Sequence, residues 1–547
     1  MIYTKGFNPE TGEWNDSLTG DFLWGNTNIG ETLSDVMTPF SWSMVSACFE
    51  QMNVMPGYPI VGNIGGRAYN NFSVMMTAFG ALGTKIEDLN KEMGGLRDEY
   101  KERMSDIVIP LPKPAFLPLL LRALKLRKKQ NEGLKRIPAF LDENPEWSRA
   151  MRQRITKIKG KEELAALLLE ELIPYTLRGF WMILGSAWQY GEQVGKLREE
   201  LTEWIAPDDV DKLLSNVSAD DELLASLGPA IGLARLARGE ISREAYLEQW
   251  GHRGPHESEL STPRPAEDPN WLDQQLAALE RSPVDADTLL ARRQEEFESA
   301  WARFQTRHPR KTKRVRRSLE KAAEAARLRE ATRSEYVRVV WVGRTWALLA
   351  GEMTGLGDDI FHLTSAEAAE LLSGVDKYTA SIPSRRETHE RYKALPAYPL
   401  IIRGQFDPFQ WAADPNRRSD FSDSHGVLPK IVAKVTKDGI IYGAPGSAGQ
   451  VEGSVRRLDS PEDGEALQPG EILVTKQTNI GWTHLFPLAK AVVTDVGAAL
   501  SHAAIVAREM GIPAVVNCGD ATTKLKTGDW VRVDGSQGMV EILQGEG

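Results

Sequence analysis

The feature that most constrains this chain is a change of rhythm along it. From about Leu82 to Leu247, and again from about Asp273 to Glu352, apolar residues recur at the spacing that gathers them on one face of a helix, as in KEELAALLLEELIPYTLRGFWMILGSAWQYGEQVGKLREEL. Past Gly439 the chain turns to short β-branched runs, GQVEGSVRRL, GEILVTKQT, AVVTDV, IPAVVNC and DWVRVDGSQGMVEIL, the last with a glycine-containing turn between two alternating strands. One core does not serve both patterns, and 547 residues exceed what a single core usually holds. The expected fold is multidomain: a mostly α-helical substrate-binding body over residues 1–402, a flexible linker over 403–439, and a C-terminal α/β domain over 440–547. The linker assignment rests on RGQFDPFQWAADPNRRSDFSDSHGVLPK, where Asp, Pro, Ser and Gly accumulate and helical spacing stops. The first hundred residues, rich in aromatic, Gly and Asn residues, read as packed segments of the body.

Composition excludes several classes of function. A hydrophobic fraction of 41% with 26% charged residues is that of a chain that folds. The formal net charge of −10 lacks the basic footprint of a general nucleic-acid binder. Two cysteines, Cys48 and Cys518, make neither a disulfide framework nor a cysteine metal cluster, which suits a reducing cytoplasm. No uninterrupted apolar run approaches the roughly 20 residues of a membrane span, and the first residues lack a signal-peptide pattern. The basic run LLLRALKLRKKQNEGLKR reads as a solvated helix face, with a membrane-surface helix as the alternative. Small molecules and proteins remain as partners, and the expected location is cytoplasmic.

The chemistry concentrates in DVGAALSHAAIVAREMGIPAVV, Asp495 to Val516. AVVTDV reads as a strand, GAAL as a tight loop of small residues, and SHAAIVAREM as a helix with Ser501 at its N-cap. His502 then sits in the first turn, where unpaired N–H groups and the positive end of the helix dipole favour an anion and disfavour imidazolium. A neutral imidazole is a nucleophile, and a phosphoryl group on it would meet the same N–H groups. Gly497 and the alanines after it would let a bulky donor approach.

This segment resembles the phosphohistidine motif of the PEP-utilising enzymes, the family of phosphoenolpyruvate synthase, pyruvate phosphate dikinase and rifampin phosphotransferase. The likeness extends over GAPGSAGQVEGSVRRL, GEILVTKQTNIGWTHLF and TGDWVRVDGSQGMVEIL, about a hundred residues in order; Ala498 departs from it, standing where the family more often has a second glycine. The resemblance implies a swivelling domain that carries phosphate on His502, with Thr478 and Trp482 packed beside the histidine loop. WGNTNIGETLSDVMTPFSWS, GGRAYNNFS, WGHRGPHESELSTPRPAEDP and GDDIFHLTSAEAAELLSG make the body similar to the substrate-binding region of the rifampin phosphotransferase type.

WGHRGPHESEL is the richest polar cluster of that body. His252 is the candidate general base, with Arg253 and Glu257 as candidate phosphate or substrate ligands, and a bracing network at the helix ends is the alternative. A zinc site on His252, His256 and Glu259 is disfavoured because Pro255 opposes the continuous helix that would align them. The resemblance also marks Arg67 and Arg344 as positions where the family keeps an arginine, each a substrate clamp or a structural salt bridge. Arg508 reads as a surface ion pair or a contact to the donor, and Cys518 as a buried strand-end residue.

The full-length relatives precede this body with an ATP-grasp domain. Here the body motifs begin by Trp24 and no G-x-x-x-x-G-K-[ST] loop occurs after them, so ATP and Mg2+ are expected on a separate ATP-grasp subunit, as in phenylphosphate synthase. The expected activity is a phosphotransferase component that passes phosphate to a hydroxyl of a small, aromatic or apolar acceptor. A condensing or ligating enzyme that phosphorylates only to activate, and a non-catalytic regulatory homologue, are the alternatives.

Overall fold

A computed structural model describes residues 6–26, 28–83, 109, 111–112, 114–214, 228–280, 286–415, 417–418, 421–426, 439–497 and 501–543. In chain order the helices are α1 (Asn28–Thr32), α2 (Pro39–Glu50), α3 (Phe72–Ala81), α4 (Phe116–Ile155), α5 (Lys161–Leu167), α6 (Ile173–Thr202), α7 (Pro207–Leu214), α8 (Gly228–Ala237), α9 (Arg243–Trp250), α10 (Trp271–Glu280), α11 (Ala286–Arg307) and α12 (Thr312–Thr354). Beyond these come α13 (Ser365–Leu372), α14 (Ile382–Lys393), α15 (Pro408–Ala413), α16 (His502–Met510) and α17 (Ala521–Lys524). The chain forms two compact units, one of residues 1–185, 256–263 and 335–431, the other of 186–255, 264–334 and 432–547. The multidomain, mostly helical body with a C-terminal α/β region is therefore as expected, but part of the helical body belongs to the same unit as the C-terminal sheet.

The first unit has a helical core in which Phe40 stacks on Trp346 with ring centroids 5.8 Å apart, among Leu164, Leu168, Ile360 and Phe361. Its ion pair is buried: Arg385 spans both carboxylate oxygens of Glu367, at 2.7 and 3.0 Å, and also donates to the carbonyls of Pro9 and His362. Glu367 in turn accepts from the N–H of Thr364, closing a capping box on α13.

This unit also contains a sheet that the helical reading of the body did not anticipate. β1 (Leu23–Gly25), β2 (Val61–Ile64), β3 (Arg67–Asn71), β4 (Ile401–Arg403) and β5 (Phe421–Asp423) run in the order β2-β3-β1-β4-β5. The strands are short, β1 and β2 are buried at every position, and β1 pairs with β4 across most of the chain (Leu23 with Arg403), so neither alternation nor a local hairpin announces the β1–β4 pairing. It also takes up part of the segment expected to be a linker. Residues 403–426 contain α15 and β5, and Phe406 and Phe421 are buried; polar turn residues between two apolar anchors imitated a tether. Residues 427–438, the rest of that segment, lie outside the described residues.

The second unit is built around an eight-stranded sheet, β6 (Ile440–Tyr442), β7 (Ala444–Ser447), β8 (Gln450–Arg457), β9 (Ile472–Thr475), β10 (Ala491–Thr494), β11 (Ala514–Val516), β12 (Trp530–Asp534) and β13 (Met539–Ile542), in the order β6-β13-β12-β8-β9-β10-β11-β7. β8, β9, β10 and β11 pair in parallel; β9, β10 and β11 are buried at every position, the near-continuous apolar runs typical of parallel strands, while β8 is only partly buried. The α16 helix packs on this sheet through Val506, Ala507 and Met510. Its Ile505 instead enters the apolar core of α6, α7, α11 and α12, among Tyr190, Leu197, Leu213, Phe297 and Phe304, a burial that contributes about 2 kcal/mol.

Candidate functional site

The site begins with the local fold of its histidine. Strand β10 ends at Thr494, and Asp495 anchors the turn beyond it: the Asp495 carbonyl accepts from Gly519 N at 2.9 Å and its buried carboxyl from Thr522 N at 3.0 Å and the Thr522 hydroxyl. Burial pushes that carboxyl up to about 6. Gly497 takes φ 149°, and a Cβ there would come within 3.1 Å of both Ser501 Oγ and Val516 Cβ, so the turn requires glycine. Residues 498–500 of the expected loop lie outside the described residues. Ser501 is extended and its hydroxyl accepts from Ala504 N at 3.3 Å, which starts α16 with His502 as its first residue.

The His502 ring is held at both nitrogens. Nδ1 lies 3.0 Å from Thr478 Oγ1 and Nε2 3.4 Å from Thr483 Oγ1, and the edge of the ring faces Phe486 at 6.2 Å. Trp482, between the two threonines, is buried in the core beneath α16. Burial, and then the guanidinium groups of Arg333, Arg253 and Arg329, lower the imidazole well below its ordinary value, so the ring is neutral at neutral pH. Neutral imidazole in a cationic surround is the arrangement in which a nitrogen nucleophile is available and a phosphoryl dianion placed on it is attracted to its neighbours.

The polar cluster of WGHRGPHESEL divides between the two units. His252 and Arg253 are buried in the unit of His502, with His252 Nε2 3.0 Å from Ser334 Oγ, next in sequence to Arg333. His256, Glu257 and Glu259 belong to the other unit. There His256 pairs with Asp35 at 2.5 Å, and Glu259 accepts from Thr38 N, Thr38 Oγ1 and Ser41 Oγ at 2.8–2.9 Å, a network that braces the start of α2. Glu257 is buried and belongs to the same unit as His256 and Glu259.

Arg344 is a backbone clamp, its Nη1 donating to the carbonyls of Leu260 and Ser261 at 2.8 and 2.9 Å. Arg67, on β3, lies over the ring of Tyr398 at 4.9 Å. Both belong to the first unit, and His502 to the second. Arg508 is no surface ion pair: it is buried, Nε donates to Ala504 O at 2.9 Å, and Arg198, Tyr190, Asp211 and Glu509 act on its charge. Cys518 is buried in the sheet core as expected, and the basic run is largely exposed along α4.

Thr483, Arg329 and Arg333 were not singled out in the sequence. Thr483 comes directly after Trp482, and the two arginines stand four apart on α12, hence on one helix face; nothing in that spacing separates a pair aimed at a site from a solvated one.

Comparison with known proteins places families on these parts. Residues 467–538 match the PEP-utilising enzyme mobile domain, and residues 193–330 match the rifampicin phosphotransferase fourth domain. The chain is 33% identical over 322 residues to the prodigiosin synthesizing transferase PigC of Serratia marcescens, covering 55% of this chain and 33% of that protein. It is 47% identical over 186 residues to a rifampicin phosphotransferase of Bacillus cereus, 34% of this chain and 19% of that protein. With the phosphoenolpyruvate synthase of Aeropyrum pernix it shares 49% identity over 102 residues, 18% of this chain and 12% of that protein. The chain thus aligns with a third or less of the length of these relatives.

Proposed function

From a chain that carries the mobile domain of the PEP-utilising enzymes and the fourth domain of rifampicin phosphotransferase, we propose a phosphotransferase component in which His502 carries phosphate from an ATP-derived donor to a hydroxyl of a small molecule. The observation that carries this reading is the His502 imidazole at the head of α16, held between Thr478 and Thr483, where burial and the charges of Arg333, Arg253 and Arg329 disfavour its protonation. Thr478 holds Nδ1 more closely than Thr483 holds Nε2, which leaves Nε2 as the nucleophile. The N–P bond forms as the donor P–O bond breaks; in the second step the acceptor oxygen takes the phosphorus, the N–P bond breaks, and the hydroxyl proton passes to a base. The arginines neutralise charge on the phosphoryl group in both steps. His252 is the base in this reading, oriented by Ser334.

Among the described residues no group of three His, Cys, Asp or Glu side chains is placed to hold a metal ion, and no phosphate-cradling loop occurs in the sequence. We assign ATP and Mg2+ to an ATP-grasp protein or domain outside these 547 residues, and route no step of this chain through them. No helix among the described residues is long and apolar enough to cross a membrane, and we place the reaction in the cytoplasm.

A second reading has its own support. The relative named for prodigiosin synthesis aligns over 55% of the chain, the rifampicin phosphotransferase over 34%; in that reading the phosphate activates the acceptor for joining to a second molecule and is then released. The test is incubation with an ATP-grasp partner, ATP and candidate acceptors. Acid-labile phosphate is expected on wild type and absent from His502→Ala, while His252→Ala is loaded normally and transfers about a hundredfold more slowly. Labelling that persists in His502→Ala overturns the proposal; phosphate kept in the product, against phosphate released only with a second substrate, separates the two readings.

A further inference from the structure

Between Thr478 and Thr483, the two residues at the imidazole nitrogens, lies a turn that touches the WGHRGP loop. A Cβ added at Gly481 would lie 2.4 Å from Pro255 Cβ and 2.6 Å from Pro255 Cα, closer than two carbons pack. Beside it Asn479 donates from Nδ2 to Pro255 O at 3.1 Å and accepts from Gly481 N at 2.9 Å. Pro255 ends the run that holds His252 and Arg253, so this one contact joins the segment gripping His502 to the segment carrying the candidate base and one of the three arginines.

The remaining contacts between the carrier domain and the helices of this unit are ordinary burial. Ile505 enters the helical core, Ile231 of α8 joins the core around Trp482 and Met510, and Arg508 lies near Tyr190 and Asp211. Such contacts give way gradually. The Gly481–Pro255 contact has no slack, because the atoms that a Cβ would meet include backbone.

The geometry points to Asn479–Gly481 and Pro255 as a docking seat that registers His502 against the His252–Arg253 loop, with Gly481 kept small for docking and not for the fold of the carrier domain. Two observations separate docking from folding. Apart from Asn479 Oδ1, the nearest atoms a Cβ would meet belong to Pro255, and Gly481 is not among the glycines held at positive φ, so an alanine has no backbone strain to bear there. The seat's purpose rests on the transfer reading above, but its existence as a steric seam does not. Gly481 and Asn479 are positioning residues: they act on the phosphoryl group through the placement of His502.

Hydrogen–deuterium exchange on the whole chain tests this without acceptor or partner. In Gly481→Ala, exchange should rise about tenfold or more in residues 250–255 and along α16, the population shift given by an overpacking cost of about 1.4 kcal/mol, while β9, β10 and β12 stay protected. The double variant Gly481→Ala/Pro255→Gly, which removes the nearer of the two Pro255 carbons, should return part of the way toward wild type, a rescue that a misfolded carrier domain would not show. Unchanged exchange in Gly481→Ala overturns the seat, and so does a rise that includes the strands and is not rescued. Failure of phosphate to depend on His502 would sink the transfer reading and leave these exchange results standing, so the two failures are distinguishable.

Discussion

At the scale of single residues the arrangement turns on keeping His502 uncharged. Burial and the charges of Arg333, Arg253 and Arg329 act in the same direction, so the folded imidazole titrates below the ordinary value of about 6.5. The stabilisation that comes from a neutral ring is therefore complete above that pH and is lost as pH falls through the folded value. Replacing Arg329 and Arg333 together by Gln should raise the titration midpoint of His502 toward 6.5, tracked by histidine ring NMR, and should slow acceptance of phosphate at pH 7. A midpoint that does not move would mean burial alone sets it. The Gly497 turn, the Ser501 cap and the place of His502 at the helix start were legible in the sequence because they lie within six consecutive residues. Arg329 and Arg333 were not, because their relation to His502 exists only after α12 and α16 have packed, and a helix with many arginines gives no sign of which face is covered.

Among the elements, α13 shows how a buried ion pair can specify a helix start. Glu367 caps Thr364 and is itself held by Arg385, whose side chain is wholly buried. Arg385→Ala should cost about 3–5 kcal/mol, since it leaves a buried carboxylate without its counter-charge. Arg385→Ala/Glu367→Gln should recover part of that loss, as measured by denaturant unfolding; equal losses in the two would show that the charge is already well solvated. The long helices were readable from periodicity, since α6, α11 and α12 fall where apolar spacing put them. The five-stranded sheet was not, because β1, β4 and β5 have three residues each and β1 pairs with β4 across most of the chain. Part of the segment expected to be a linker is folded for a related reason: Asp407 caps α15, and Asp423 at the end of β5 accepts from His425 N, so its turn-forming residues terminate real elements.

At the scale of the molecule, His502, His252, Arg253 and part of the helical body belong to one compact unit, so under the proposed transfer this arrangement is the one that faces the acceptor. A phosphoryl carrier needs a second station where it is loaded. The relatives are three or more times as long as the matched stretch, which leaves room in them for such a station, and the sequence offers no phosphate-cradling loop for one here. This 547-residue chain alone should then neither bind Mg–ATP in the micromolar range nor form AMP, and addition of an ATP-grasp partner should restore both together with phosphate on His502. Under the proposed transfer His502 would leave the arginines to be loaded, and uncovering Ile505 costs about 2 kcal/mol before the partner offers any contact in return. That cost predicts loading that is slow at low partner concentration and faster in variants that weaken docking. Calorimetry with ATP and magnesium on the chain alone is the direct measurement: micromolar binding at one site with release of AMP would show that the chain loads its own histidine and would remove the need for a partner.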